Sequence, residues 1–86
     1  MGFDYVKIIV NFLNNTQGYI DKVQARFMLL QMFGIDIEEG DFDRIINQNI
    51  LDDISKSVEN DDYKWFVCEM LKLKYIVEKE GLYESI

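Results

Sequence analysis

The residue types that carry most enzyme chemistry are scarce in this sequence. It contains no histidine, so the side chain that most often moves protons near neutral pH is missing. The single cysteine, Cys68, and serines such as Ser55 and Ser57 therefore have no imidazole to activate them as nucleophiles. The sequence has neither a G-x-x-x-x-G-K-[ST] nor a G-x-G-x-x-G phosphate-binding loop. We expect a protein that is not an enzyme and that uses no cofactor.

Carboxylates are the one abundant group that could bind a metal ion. A zinc site needs several Cys or His ligands, and the sequence offers one cysteine. A calcium loop needs oxygen ligands at alternate positions, glycine at the sixth and glutamate at the twelfth. Counted from Asp36, glycine falls at the fifth position, and counted from Asp52, Ser57 stands at the sixth. The sequence therefore predicts no metal site, and its adjacent acids are more typical of helix caps and solvated surfaces.

Negative charge is concentrated in the middle third of the chain. The formal net charge is −7. Residues 36–62 contain ten acidic and two basic residues, whereas the remainder contains six acidic and seven basic residues. Concentrated charge steers association with an oppositely charged partner, although it also keeps an apolar protein in solution. The acids that we predict to bind a basic partner surface are Glu38, Glu39, Asp41, Asp43, Asp52, Asp53, Asp61 and Asp62.

Apolar side chains are more numerous than a small core can hide. Of the 86 residues, 49% are hydrophobic and 14% aromatic. A domain of this size buries only roughly 60–65% of the surface of its unfolded chain, so surplus apolar surface predicts contact with a partner or a second copy. Trp65, Met28 and Met32 are of types enriched in such contacts, and we add them to the partner-binding set, although core packing is their commoner role. Cys68, on an apolar background, is expected in the core.

The whole chain, residues 1–86, is expected to form a single domain. No apolar run approaches the ~18 residues that a membrane span needs, and the stretch MGFDYVKIIVNFLNN lacks the basic start of a signal peptide. The initial Met-Gly begins like a myristoylation site, but Val6 stands where Ser or Thr is required. We expect a cytoplasmic protein with no membrane partner.

The apolar spacing predicts an all-α fold, a compact bundle of four to five short helices. The sequence contains no proline and only five glycines, so few residues would break the helices. The stretch YVKIIV also suits a strand by its β-branched residues, but the helical spacing continues beyond it. The first predicted helix runs from Asp4 to about Asn14, and the second from Thr16, its N-cap, to Gly34. The third runs from Asp36, an N-cap paired with Glu39, to about Ile46, and the fourth covers Ile50–Val58. The fifth runs from Asp62 to about Lys79, with Asn60 or Asp61 as its N-cap and Gly81 at its end.

Two helices joined at Gly34 and Ile35 suggest a helix-turn-helix, with residues 37–49 as its recognition helix. The first turns of that helix carry four acids against a single base, Arg44. DNA is a polyanion that proteins contact through Lys and Arg, so we expect no direct nucleic-acid contact. An acidic helical surface can instead imitate a phosphate backbone and bind in the groove where another protein would bind nucleic acid.

The preferred hypothesis is a non-enzymatic protein-binding regulator or inhibitor. Segment 36–62 would dock on a basic partner surface, and an apolar patch would supply affinity. Small inhibitors encoded by phages or mobile elements, and immunity proteins against basic toxins, offer an analogy. One alternative is a structural homodimer whose acids only solubilise it, and the other is a DNA-binding regulator of the helix-turn-helix type.

Overall fold

The computed structural model describes residue 14 and residues 20–85. Four helices and two short strands follow in order: α1 Lys22–Phe33, β1 Ile35–Asp36, α2 Glu39–Ile45, α3 Gln48–Glu59, α4 Tyr63–Glu80 and β2 Glu84–Ser85. The mainly helical architecture is therefore confirmed, with four helices in the described part of the chain. The predicted helix from Asp4 lies outside the described residues, except for Asn14, which is helical.

Helix α1 begins later than predicted. Asp21 has an extended backbone and is the N-cap: its carboxylate accepts a hydrogen bond from the Gln24 amide at 2.8 Å, and the Gln24 side chain accepts one from the Asp21 amide at 3.0 Å. This reciprocal capping box satisfies two amides that the helix leaves unpaired. Asp21 therefore takes the N-cap position predicted for Thr16, which lies outside the described residues. The predicted end is confirmed, because Gly34 has a left-handed φ of 67°.

Helix α2 also departs from prediction. Asp36 belongs to strand β1 and does not cap the helix; Glu38 occupies the N-cap position without a side-chain hydrogen bond. The helix has only seven residues, because Ile46 returns to an extended backbone and Asn47 caps α3 through the Ile50 amide. Residues 37–49 are therefore not the single recognition helix that a helix-turn-helix requires.

The turn between α3 and α4 contains three polar residues, each with a separate role. Asn60 ends α3, and Asp61 has a left-handed φ of 51°. Asp62, rather than Asn60 or Asp61, caps α4 by accepting a hydrogen bond from the Trp65 amide at 3.0 Å. Gly81 ends α4 as predicted, with φ 69°.

The core forms where α4 packs against the other helices, most extensively against α3. On α4, the residues that face the core are Phe66, Met70, Leu73 and Val77, which are fully buried. Phe42 of α2 is also fully buried. The other buried apolar residues are Ile20, Ala25, Met28, Leu29, Met32, Ile35, Ile37, Ile46, Leu51, Ile54 and Val58.

Strands β1 and β2 form a two-residue antiparallel ladder. Ile35 pairs with Ser85 and Asp36 pairs with Glu84. The ladder brings the segment that follows α4 back to the connection between α1 and α2. Two carboxylates thereby face each other across the strands, which the helical periodicity of the sequence did not indicate.

Candidate functional site

The eight acids predicted to bind a partner all lie at the surface, but the fold divides them. Six are exposed, and Asp41 and Asp52 are half-buried. Glu38 and Asp41 line one depression, while Glu39 and Asp43 line another. The remaining acids belong to α3 and the turn after it. The predicted patch is therefore three separate groups of acids.

The first group forms what we call the acidic depression, a hollow of about 290 Å³. One wall comes from β1 and the start of α2, and the other from the segment that follows α4. Its lining residues are Asp36, Glu38, Asp41, Gly81, Leu82, Tyr83 and Glu84. The strand ladder fixes both walls relative to each other.

Local sequence explains how the second wall forms. Gly81 adopts the left-handed conformation that ends α4 and redirects the chain. Tyr83 is half-buried and packs against the core, which anchors the segment. Leu82, between them, is 41% exposed at the edge of the depression. An apolar side chain thus adjoins the carboxylates.

The acidic depression is electrostatically unbalanced. Four carboxylates line it, and no lysine or arginine of the described residues does. Within the described chain, Asp41 pairs with Arg44, but Asp36, Glu38 and Glu84 have no basic group within salt-bridge distance. Like charges in a concave surface focus a negative potential, so the depression attracts cationic groups.

The second depression, of about 360 Å³, has mixed charge. Lys22 and Arg26 line it together with the acids Asp21, Glu39 and Asp43. Lys22 Nζ lies 3.6 Å from Asp43 Oδ1, and Arg26 Nε donates a hydrogen bond to a backbone carbonyl at 3.0 Å. Its cations offset the carboxylates, which makes this depression less suited to a basic ligand.

The third group of acids serves the helices and their turn. Asp52 accepts a hydrogen bond from the Gln48 side chain at 3.0 Å, and Asp62 caps α4. The hydrogen bond that the Lys72 amine donates to Glu69 is the largest cause of the raised pKa of Lys72, and the nearby charge of Asp53 contributes to it. These local roles account for three of the four acids, while Asp61 occupies the left-handed position of the turn.

The apolar residues predicted to contact a partner are mostly inside. Met28 and Met32 are only 1% and 3% exposed, because both lie on the inward face of α1, so neither presents surface as predicted. Trp65 is half-buried, and its indole Nε1 donates to Glu69 Oε1 at 3.3 Å. The large apolar side chains at the surface of the described residues are therefore others.

Cys68 is exposed, so the expectation that it packs in the core is wrong. It lies on the face of α4 opposite the buried stripe. Among the described residues, the large exposed apolar side chains are Val23, Phe27, Leu71, Tyr75 and Leu82. The sequence signal for the first four was a second apolar face on α1 and on α4, and Leu82 follows α4.

The described residues assemble no metal site. No group of three or more Cys, Asp or Glu side chains is close enough to ligate an ion in that part of the chain. None of the described helices combines the length and apolarity needed to cross a bilayer. The carboxylates of the acidic depression can attract positively charged groups.

Comparison of the chain with protein-family models, curated proteins and solved structures finds no match.

Proposed function

We propose that this protein is a non-enzymatic, protein-binding regulator or inhibitor that engages a basic surface of its partner through the acidic depression. One observation carries the proposal: the acidic depression is lined by three carboxylates that form no salt bridge with a described lysine or arginine, and by the exposed side chain of Leu82. Charge provides attraction there, and the adjoining apolar surface provides desolvation.

The chemistry of the depression favours a lysine or arginine side chain of the partner as its occupant. Each of these carries a cationic head on an apolar stem, and the stem would contact Leu82 while the head meets Asp36, Glu38 and Glu84. Arginine suits carboxylates best, since its planar guanidinium donates two parallel hydrogen bonds to one of them. Long-range attraction by a protein of charge −7 would speed the encounter and weaken with added salt.

Docking of one basic segment has more support than imitation of nucleic acid. A phosphate backbone is a regular row of charges, whereas the acids of segment 36–62 divide among two depressions, α3 and the turn after α3. A cytoplasmic location completes the proposal, because the exposed thiol of Cys68 would stay reduced there.

Charge reversal tests the proposal. The chain and its Glu38→Lys/Glu84→Lys variant are used as baits in extracts of the native host, with captured proteins quantified by mass spectrometry at two salt concentrations. We expect one strongly enriched protein with a basic surface, captured less at high salt, and loss of at least about tenfold of that capture in the variant.

The matched control is Asp53→Lys/Glu59→Lys, which makes the same change in net charge at exposed positions outside the acidic depression. It should retain most of the capture. Equal loss in both variants would mean that overall charge, not the depression, attracts the partner. Full capture by Glu38→Lys/Glu84→Lys would contradict the proposal.

A further inference from the structure

The outward face of α4 carries a straight seam of exposed residues. Lys64, Cys68, Leu71, Tyr75 and Glu78 follow one another at alternating spacings of four and three residues, and all are exposed. This is the heptad spacing by which one helix lies along another. Leu71 and Tyr75 are 47% and 65% exposed, which is costly for large apolar side chains in water. We call these five residues the outer seam.

An apolar groove runs beside the outer seam. It has a volume of about 480 Å³ and is lined by Met32, Phe33, Tyr63, Lys64, Val67, Cys68 and Leu71. At its edge, the amine of Lys74 lies 5.7 Å from the centre of the Phe33 ring. The groove is open, and aromatic or aliphatic surface forms most of its lining.

We propose that the outer seam and this groove dock on the same surface of a second copy of the chain, with the two α4 helices antiparallel. A two-fold axis would pass beside Leu71, so that each copy offers the same residues to the other. Charge favours this orientation. Antiparallel pairing places Lys64 of one copy opposite Glu78 of the other, whose carboxylate also accepts hydrogen bonds from Lys74 of its own helix at 3.1 and 3.2 Å. Parallel pairing would instead oppose two lysines and two glutamates.

The same register brings Tyr75 of each copy into contact with the other copy. With Leu71 at the axis, Tyr75 of one copy lies opposite Val67 of the other, and Val67 lines the groove. Each tyrosine ring therefore enters the groove of the opposite copy, twice by symmetry. An aromatic side chain filling an apolar groove at the centre of an interface is the usual source of binding energy in protein pairs.

The charge of α4 permits this contact in an acidic protein. The helix contains Lys64, Lys72, Lys74 and Lys79 against three glutamates, so the docking face is not net negative. Repulsion between the acids elsewhere in the two copies is largely screened at physiological salt. The proposal concerns a face other than the acidic depression and stands independently of the function proposed for it.

Disulfide trapping tests the register. In a Cys68→Ser background, Leu71→Cys should form a cross-linked dimer in glutathione redox buffer, because residues beside a two-fold axis face their own copies. Lys64→Cys and Glu78→Cys should each stay monomeric alone and cross-link when mixed. Lys56→Cys, exposed on α3, gives the rate of random collision. Self-linking of Lys64→Cys, or a Leu71→Cys rate no higher than that of Lys56→Cys, would overturn the proposal.

Sedimentation equilibrium of the unmodified chain provides the second measurement. We expect a monomer–dimer equilibrium that Leu71→Asp abolishes and that Lys64→Glu weakens about threefold to tenfold, since two surface ion pairs are lost per dimer. Lys64→Glu/Glu78→Lys should regain the dimer, and Lys56→Glu should leave it unchanged. A wild-type monomer at every concentration would overturn the proposal while leaving the acidic depression untouched.

Discussion

Ser55 connects the start of the described chain to α3. Its Oγ accepts a hydrogen bond of 2.8 Å from the Ile20 amide, with both residues buried. Nearby, the Ser57 hydroxyl donates to the Ile54 carbonyl at 2.6 Å within its own helix. No buried side-chain nitrogen or oxygen in the described residues lacks a hydrogen-bond partner. The hydroxyl groups of Ser55 and Ser57 thus have structural roles in the fold.

Replacing Ser55 tests this role. Ser55→Ala should lower the free energy of unfolding by about 1–3 kcal/mol, because it leaves the buried Ile20 amide unpaired. Ser57→Ala is the matched control and should cost less, since the hydroxyl that it removes is the donor and the Ile54 carbonyl belongs to a helix. Urea denaturation followed by the fluorescence of the single tryptophan measures both. Equal losses would contradict this account.

Glu69 and Lys72 form a pair with a defined pH dependence. Glu69 is buried and accepts hydrogen bonds from Trp65 and from Lys72, the latter at 3.0 Å. That hydrogen bond, and the charge of Glu69, raise the pKa of Lys72 above its ordinary 10.5. A raised pKa for an amine means stability that is complete below pH 10.5 and lost as the pH rises through the folded-state value.

The pair therefore predicts how Lys72→Gln behaves with pH. Wild type should be the more stable by an amount that is constant from pH 7 to about pH 10 and shrinks above pH 10.5. The same substitution in a Glu69→Gln background should show no such pH-dependent difference. Urea denaturation at each pH measures the two differences. A difference that stays unchanged as the pH rises beyond 10.5 would contradict the assignment.

At the scale of elements, helix stops were easier to predict than helix starts. Gly34 and Gly81 end α1 and α4 in the left-handed conformation, because glycine adopts it without steric cost. N-caps were harder to predict, because several acidic or amide side chains lie near the start of each helix. The residue type does not determine which of them has the extended backbone that an N-cap requires. Asp21 took the place predicted for Thr16, and Asp62 the place predicted for Asn60 or Asp61.

The two acidic N-caps of α1 and α2 make a matched test. Asp21→Ala removes the capping box and should cost about 0.5–2 kcal/mol of the free energy of unfolding. Glu38→Ala changes an N-cap whose side chain makes no capping hydrogen bond, so its cost should be within about 0.5 kcal/mol. Chemical denaturation of both variants measures the contrast. A larger loss in Glu38→Ala would contradict the capping assignment.

At the scale of the whole molecule, the sequence predicted the charge correctly but not its distribution in space. The acidic character of residues 36–62 follows from composition. The acidic depression, however, includes Glu84, which lies far along the chain and reaches Asp36 only through the strand ladder. Strands of two residues have no detectable periodicity, so local sequence cannot predict such a pairing.

The placement of apolar surface was likewise only partly predictable. A surplus of apolar residues was expected, and five large apolar side chains are exposed among the described residues. The identity of the exposed apolar residues was not predictable. Each of α1 and α4 is apolar on two opposite faces, and sequence spacing alone does not say which face meets the core. Met28 and Met32 lie on the inner face of α1, and Val23 and Phe27 on its outer face.

Photo-crosslinking at the acidic depression tests the central claim most directly. A benzophenone amino acid replaces Leu82, and the protein is illuminated in living cells of its host. We predict a covalent adduct with one other protein, attached within a segment rich in lysine or arginine, and loss of that adduct when Glu38→Lys/Glu84→Lys is added. The same probe at Glu59, exposed on α3, should give little of it. Equal yields at both positions, or no adduct at Leu82, would contradict a protein-docking role for the acidic depression.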